Sequence, residues 1–310
     1  MNELFPKAHF KKIKDKKPKK GEKLINYSHS DTYYLLDKYK DGADCDRDRM
    51  MFTLQALFNA LVVIPSIDSG FIDKNNLILS ADGSSLHIHS SPFGHKVLDG
   101  DDSDNIYRFS APDADIGWDS DLESFYLGYT FYNISYHNPL KNIDLPVFAS
   151  IENASRHDAL SCISAAAQFL DMNHDLHPKY FCHDSAADSL PVFQFFQHNN
   201  IIPVIDHNPR RDSSKEYVEK NHTNNDGIPV CMANRPMHFC GYDIQRCRKK
   251  YRCPLVMGDI SSCPFVDQCS TSSYGRVSYI NDGDSARNAG PLSYKSETWK
   301  KIYRNRTSTE

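Results

Sequence analysis

The stretch that most constrains the fold is residues 179–208, KYFCHDSAADSLPVFQFFQHNNIIPVIDHN. A short apolar run, Tyr180-Phe181-Cys182, stops at Asp184, and a small-residue elbow, Ser185-Ala186-Ala187-Asp188, follows. Val192, Phe193 and Phe196 then recur at three- and four-residue steps, which predicts a helix. Asn199 and Asn200 suit its C-terminal end. Ile201-Ile202-Pro203-Val204-Ile205 is a second short strand, and it too ends in an acid, Asp206. This is a strand-helix-strand unit. Strands of such units are buried and apolar, and ligands sit at their carboxyl ends. Asp184 is therefore a site candidate on geometry alone.

The chain around this unit holds 310 residues, enough for one large domain or two ordinary ones. With 40% hydrophobic and 12% aromatic residues it can build a core. No apolar run reaches the length of a membrane span; residues 54–67 come nearest and are broken by Asn59. The start is polar and Lys-rich rather than an apolar signal, which points to a reducing, cytoplasmic setting. There the nine cysteines are not expected to form a disulfide framework. Net charge is −4, but the basic residues are grouped. Nine lysines fall between Lys7 and Lys23; Arg246, Arg248, Lys249, Lys250 and Arg252 form a second cluster; Lys300, Lys301, Arg304 and Arg306 form a third. Such clusters are the footprint of nucleic-acid contact, or of a solvated surface. Asp99, Asp101, Asp102 and Asp104 form an acidic group.

Residues 1–45 read as a Lys-rich N-terminal segment. Residues 48–64 read as a helix with Met51, Leu54, Leu57, Phe58, Leu61 and Val62 as its buried stripe. Three strands are expected next, over 76–90, 124–137 and 145–151, the first three running as antiparallel neighbours. Asp82 lies in the first of them, where an acid is unfavourable unless used or paired. Ser155 with Asp158 resembles a capping box, opening a helix with Leu160, Ile163, Ala167 and Leu170 on one face. The strand-helix-strand unit completes a core over 46–208. Residues 209–295 are a Cys-rich insertion, and 296–310 a final helix capped by Ser296, with Trp299, Tyr303, Arg306 and Glu310 on one face. The fold class is α/β: a mixed sheet flanked by helices, with the insertion before the last helix.

Asp82, Asp184 and Glu310 sit in a strand, at a strand end and on a helix, places that converge in α/β domains. Three carboxylates in one cleft suit two Mg²⁺ or Mn²⁺ ions about 3.5–4 Å apart, clamping the attacking and leaving oxygens of a phosphodiester. The motifs add a family resemblance. Tyr303-x2-Arg306-x3-Glu310 resembles the Tyr-x2-Arg-x3-Glu-x6-Lys signature of DDE transposases from bacterial insertion sequences. Ser80-Ala81-Asp82-Gly83-Ser84 resembles their first-acid strand, and His183-Asp184-Ser185-Ala186-Ala187-Asp188 their second. The resemblance spans residues 48–310. It implies an RNase H-like fold, Mg²⁺, cleavage and strand transfer at insertion-sequence ends, and a nucleoid-associated protein working on transposon-end and target DNA, with a homodimer as one arrangement. Tyr303, Arg306, Lys300 and Lys301 are the expected DNA contacts. Two departures stand out: Ala186-Ala187 replaces the usual Gly-Tyr, and the chain stops at Glu310, before the signature's Lys. The latter suggests a C-terminally truncated, weak or inactive product.

Two other readings compete. One is a non-catalytic DNA-binding remnant. The other is a His-Asp metal phosphohydrolase built on His183-Asp184 and His157-Asp158, with His87 and His89 as further ligands. A structural zinc site is a separate expectation, drawn from Cys240, Cys247, Cys253, Cys263 and Cys269 with His238 nearby, although no short Cys-x2–4-Cys pair exists.

Overall fold

The computed structural model describes residues 49–309 apart from 94, 98–105, 109, 112–113 and 212–214. The Lys-rich segment 1–45, the acidic group at 99–104 and Glu310 therefore lie outside the described residues. The chain is mixed α/β and divides into two compact units, residues 1–178 with 308–310, and residues 179–307. Among the described residues no helix is long and apolar enough to cross a membrane.

The first unit begins with helix α1, Arg49–Phe58, which passes through a π turn, Asn59–Val63, into α2, Ile64–Asp68. Strand β1 is Ile78–His87, and β2, His95–Val97, pairs with β3, Ile106–Arg108, as a small hairpin. Next come β4, Asp115–Asp119, β5, Ser124–Asn138, and β6, Ile143–Asn153. β5 is the organising strand. β1 runs antiparallel along one of its edges, while β4 and then β6 run antiparallel along the other. The three expected strands are thus present as antiparallel neighbours. Their alternation buries Tyr132, Ile134, Tyr136, Val147 and Phe148. Helix α3, Asp158–Met172, packs Leu160, Ile163 and Ala167 inward. Its N-cap is His157, whose Nδ1 accepts from the Ala159 N–H at 3.2 Å. The expected capping box is not formed, because Ser155 donates instead to Asp115.

The α1 stripe is reversed. Leu54, Leu57 and Leu61 are 52–67% exposed, and the buried positions are Gln55, Asn59 and Val63. The reason is the surface met by the helix. The Gln55 amide accepts from the Ala149 N–H at 3.2 Å and donates to the Val147 carbonyl at 3.4 Å, so it satisfies the backbone of β6 as a neighbouring strand would. Asn59 donates to Asn173 at the end of α3, at 3.0 Å.

In the second unit β7, Tyr180–His183, and β8, Ile202–Ile205, pair in parallel, and α4, Leu190–His198, crosses between them. Phe181 stacks on Phe196 at 4.3 Å, and both are buried. Burying each such ring contributes about 1.5–3 kcal/mol. Asn200 takes the left-handed conformation that ends the helix, φ +57°. Then follow α5, Lys215–Asn221, and an antiparallel sheet of β9, His238–Asp243, β10, Arg248–Arg252, and β11, Val277–Asn281, with β10 central. Between β10 and β11 lie two single-turn helices, α6, Pro254–Met257, and α7, Val266–Cys269. The last helix, α8, Glu297–Tyr303, is capped by Ser296 Oγ, which accepts from the Trp299 N–H. It tightens into a 3-10 stretch, Arg304–Thr309, so the 3.6-residue repeat does not continue past Tyr303.

Candidate functional site

The two described acids of the expected triad fall in different units, and each has its own setting. In the first unit, Asp82 stands opposite Asn133 on β5. Its Oδ1 accepts from the Gly83 N–H at 2.8 Å. Gly83 is where α3 comes close: a Cβ there would lie 3.2 Å from Asp158 Oδ1 and 3.1 Å from Thr130 Cγ2. Asp82, Asp119, Asp121, His157 and Asp158 line one cleft of about 720 Å³. The acids in it are not equivalent. Asp119 is held well below the usual carboxylate range by Ser85, by the Leu122 N–H and by His87. Its bonds to Ser85 at 2.6 Å and to the Asp121 and Leu122 N–H groups at 3.0 Å tie the β4–β5 turn to β1. His87, 3.0 Å from Asp119, stacks on Tyr126. His87 pairs with Asp119 through Nε2, and His157 caps α3 through Nδ1. Burial pushes the Tyr132 phenol far up, and Cys162, Asp158 and Asp82 add to it, which places the charges of Asp82 and Asp158 near the same ring.

In the second unit, Asp184 ends β7 as expected. Its Oδ1 caps the 3-10 turn Ser185–Ala187 through the Ala186 N–H at 2.9 Å and lies 2.8 Å from Nδ1 of the fully buried His183. Burial alone would raise this carboxyl. The bond and charge of His183, the Ala186 N–H and the charge of Arg306 outweigh it, so the net shift is downward and Asp184 stays ionised. Arg306 comes from the far end of the chain. The Cys182 thiol donates to the Ile302 carbonyl, which seats α8 against β7. Tyr303, beside it, senses Asp206, Asp184 and Cys182, and burial pushes its phenol up to about 12. Arg306 lies over the Tyr303 ring, 5.8 Å from its centre. Tyr303 and Arg306 thus lie within electrostatic range of the second acid. Lys300 and Lys301 are exposed; Lys300 pairs with Glu297 at 2.9 Å.

Two groupings behind Asp184 carry no sequence signal. Asp188, 2% exposed, receives Arg287 through Nε at 3.0 Å and Nη2 at 2.5 Å, and the Asn208 N–H at 2.7 Å. Tyr294 donates to Asp206, stacks on His207 at 3.6 Å and meets Trp299 edge-on; Trp299 in turn stacks on Tyr303 at 4.5 Å. Burial, with Arg287, Lys295 and Lys249 nearby, pushes His207 down to about 2, so it is neutral in this ladder. Arg287 comes from a single 3-10 turn, Ala286–Asn288, and Tyr294 from irregular chain, where no periodicity marks them.

The second basic cluster needs correction. Strand alternation turns Lys249 inward: it is 3% exposed, donates to the Asn288 carbonyl, and burial pulls its ammonium down to about 8. Arg248, Lys250 and Arg252 share the other face, over Tyr279 and Tyr274 at 3.4–5.0 Å. The five cysteines expected to share a zinc site also separate. Cys253, Cys263 and Cys269 line one cavity. Cys240 and Cys247 instead donate to the His238 and Ile244 carbonyls. Among the described residues, no three His, Cys, Asp or Glu side chains stand grouped to hold a metal ion as positioned. Comparison with protein-family models, with curated proteins and with solved structures returned no match.

Proposed function

We propose that this chain is a transposase of the DDE type, catalysing metal-dependent phosphodiester cleavage and strand transfer on double-stranded DNA. The observation that carries the reading is that Tyr303 and Arg306, about 120 residues away in the chain, lie within electrostatic range of Asp184 on the helix seated against β7. The motif resemblance requires that juxtaposition, and local sequence does not enforce it. The element order supports an RNase H-like core: three antiparallel strands, a helix, a parallel strand-helix-strand unit and a closing helix.

The donors fit a hard divalent cation. Asp82 and Asp184 offer oxygen only, and Asp184 is ionised at neutral pH. Mg²⁺ or Mn²⁺ held by carboxylates of this kind would supply activation of the attacking oxygen and stabilisation of the leaving one. Gly83 N–H and the Ala186 N–H orient the two carboxylates. His183 and the Ala186 N–H, with Arg306 adding to them, hold Asp184 ionised, and Arg306 offers a cation to a phosphate. Arg248, Lys250 and Arg252, propped on tyrosine rings, form a ridge suited to the DNA backbone, with Lys300 and Lys301 as further contacts.

The test is nicking of supercoiled plasmid by the full chain in Mg²⁺ or Mn²⁺. Asp82→Ala and Asp184→Ala are expected to lower the rate by at least about a hundredfold while binding DNA as before. Replacing Arg248, Lys250 and Arg252 together is expected to flatten the salt dependence of binding by about 2.7 in log–log slope. Equal nicking by the wild type and Asp184→Ala would sink the catalytic reading. Salt-sensitive binding with no nicking would favour the non-catalytic remnant.

A further inference from the structure

Residues 255–279 of the second unit contain no buried side chain. They include the single-turn helices α6 and α7 and a long loop. The nearby apolar cluster of Tyr217, Met237, Tyr251 and Ile280 draws none of its members from them. Chain without a core of its own needs a staple, a disulfide or a metal, to hold one conformation. Cysteines are among the half-buried residues here. Cys231 arrives from the loop before β9, Cys253 from the end of β10, Cys263 from the α6–α7 loop and Cys269 from the end of α7. All four line a single cavity of about 70 Å³, walled by Leu255, Val256, Ile260 and Phe265.

Cys182, Cys240 and Cys247 each donate to a carbonyl. None of the four around the cavity is in a disulfide. Arg276 lines the same cavity, and the Cys253 N–H donates to its carbonyl at 2.9 Å, which fixes two walls against each other. A cation in the cavity wall suits a ligand set that carries net negative charge.

We propose that Cys231, Cys253, Cys263 and Cys269 form a structural tetrathiolate zinc site that pins residues 255–279 to the β9–β10–β11 sheet. Four thiols bind Zn²⁺ and release four protons, leaving a [Zn(S-Cys)₄]²⁻ centre with Arg276 in the same cavity wall. Closed four-sulfur tetrahedra are the ordinary form of structural zinc, and such sites assemble as the metal binds and the thiols deprotonate. As positioned the four line one cavity without forming a closed group, so they must close as zinc binds. The ligands come from four separate segments with 21, 9 and 5 residues between them, which is why no short Cys pair marks the site in the sequence. The site is independent of whether the chain cleaves DNA.

The full chain, purified without chelators from zinc-supplemented cells, is analysed for metals by mass spectrometry. The expected content is about one zinc per chain. Cys231→Ser and Cys269→Ser are expected to lose it, while Cys240→Ser and Cys247→Ser keep it. Cobalt exchanged into the wild type should show the thiolate charge-transfer absorption of a four-sulfur site. Limited proteolysis guards against general misfolding: Cys269→His, which restores a ligand, should keep both zinc and protection of residues 255–279, and Cys269→Ala should lose both. Zinc-free protein, iron in place of zinc, disulfides among the four residues, or full zinc in Cys231→Ser would each overturn the proposal.

Discussion

Replacing Arg287 by Met tests the buried charge network behind Asp184. The Arg287 and Asp188 side chains are 7% and 2% exposed. Arg287 makes two bonds to the Asp188 carboxylate and a third, from Nη1, to the Arg211 carbonyl at 2.9 Å. Methionine keeps the length of the side chain and removes the charge. Asp188 then retains the Asn208 N–H and the more distant charge of Arg211. Removing one member of a buried pair costs about 3–5 kcal/mol, and the surviving partners place this case near the lower end, about 3 kcal/mol at pH 7. The effect depends on pH in a defined direction. Burial already raises the Asp188 carboxyl above its ordinary value, with Arg287 the largest opposing influence. Without Arg287 it rises further. A folded-state value above the unfolded one means the native state binds the extra proton, so stability falls as pH rises through that window and recovers on acidification. Urea unfolding followed by Trp299 fluorescence should show a larger loss at pH 8 than at pH 5. The double variant Asp188→Asn, Arg287→Met should lose less than Arg287→Met alone, since no charge is left unpaired. A loss below about 1 kcal/mol, or one that does not shrink on acidification, would refute the argument.

Lys249 should behave in the opposite sense. Its folded-state value of about 8 lies below the ordinary 10.5, so the protein should gain up to about 3 kcal/mol between pH 8 and pH 10.5, a gain that disappears in Lys249→Met and that paired pH–urea titrations would detect. Leu57→Ser should cost under about 0.5 kcal/mol in thermal or urea unfolding, because Leu57 faces outward. Gln55→Ala, by contrast, should cost about 1–3 kcal/mol by leaving the Ala149 N–H and the Val147 carbonyl without their partner; equal effects of the two substitutions would contradict the orientation of α1.

The strands β1, β5 and β6 and the β7–α4–β8 unit are legible in the sequence because their periodicities report local geometry directly. Alternation places Tyr132, Ile134 and Tyr136 on one face of β5, and three- and four-residue steps place Val192, Phe193 and Phe196 on one face of α4. An acid that ends an apolar run, as Asp184 does, is visible for the same reason. What periodicity does not report is the nature of the surface an element meets. Leu54, Leu57 and Leu61 make as regular a stripe as any core helix, yet the opposite face is buried because a strand backbone 92 residues away needs the Gln55 amide. Strand β4, DIGWD, has no apolar alternation, since its inward positions are Asp115, Gly117 and Asp119 and their bonds come from other elements. Arg287 finds Asp188 across 99 residues, and Lys249 is buried while its neighbours in the same basic run are not. Cys231 joins Cys253, Cys263 and Cys269 only because the β9–β10–β11 sheet brings its loop to theirs. Local sequence determined the elements and the acids at their ends; charge pairing, polar burial and the grouping of thiols were decided by tertiary contacts, because burial and electrostatic energies depend on which distant partner arrives.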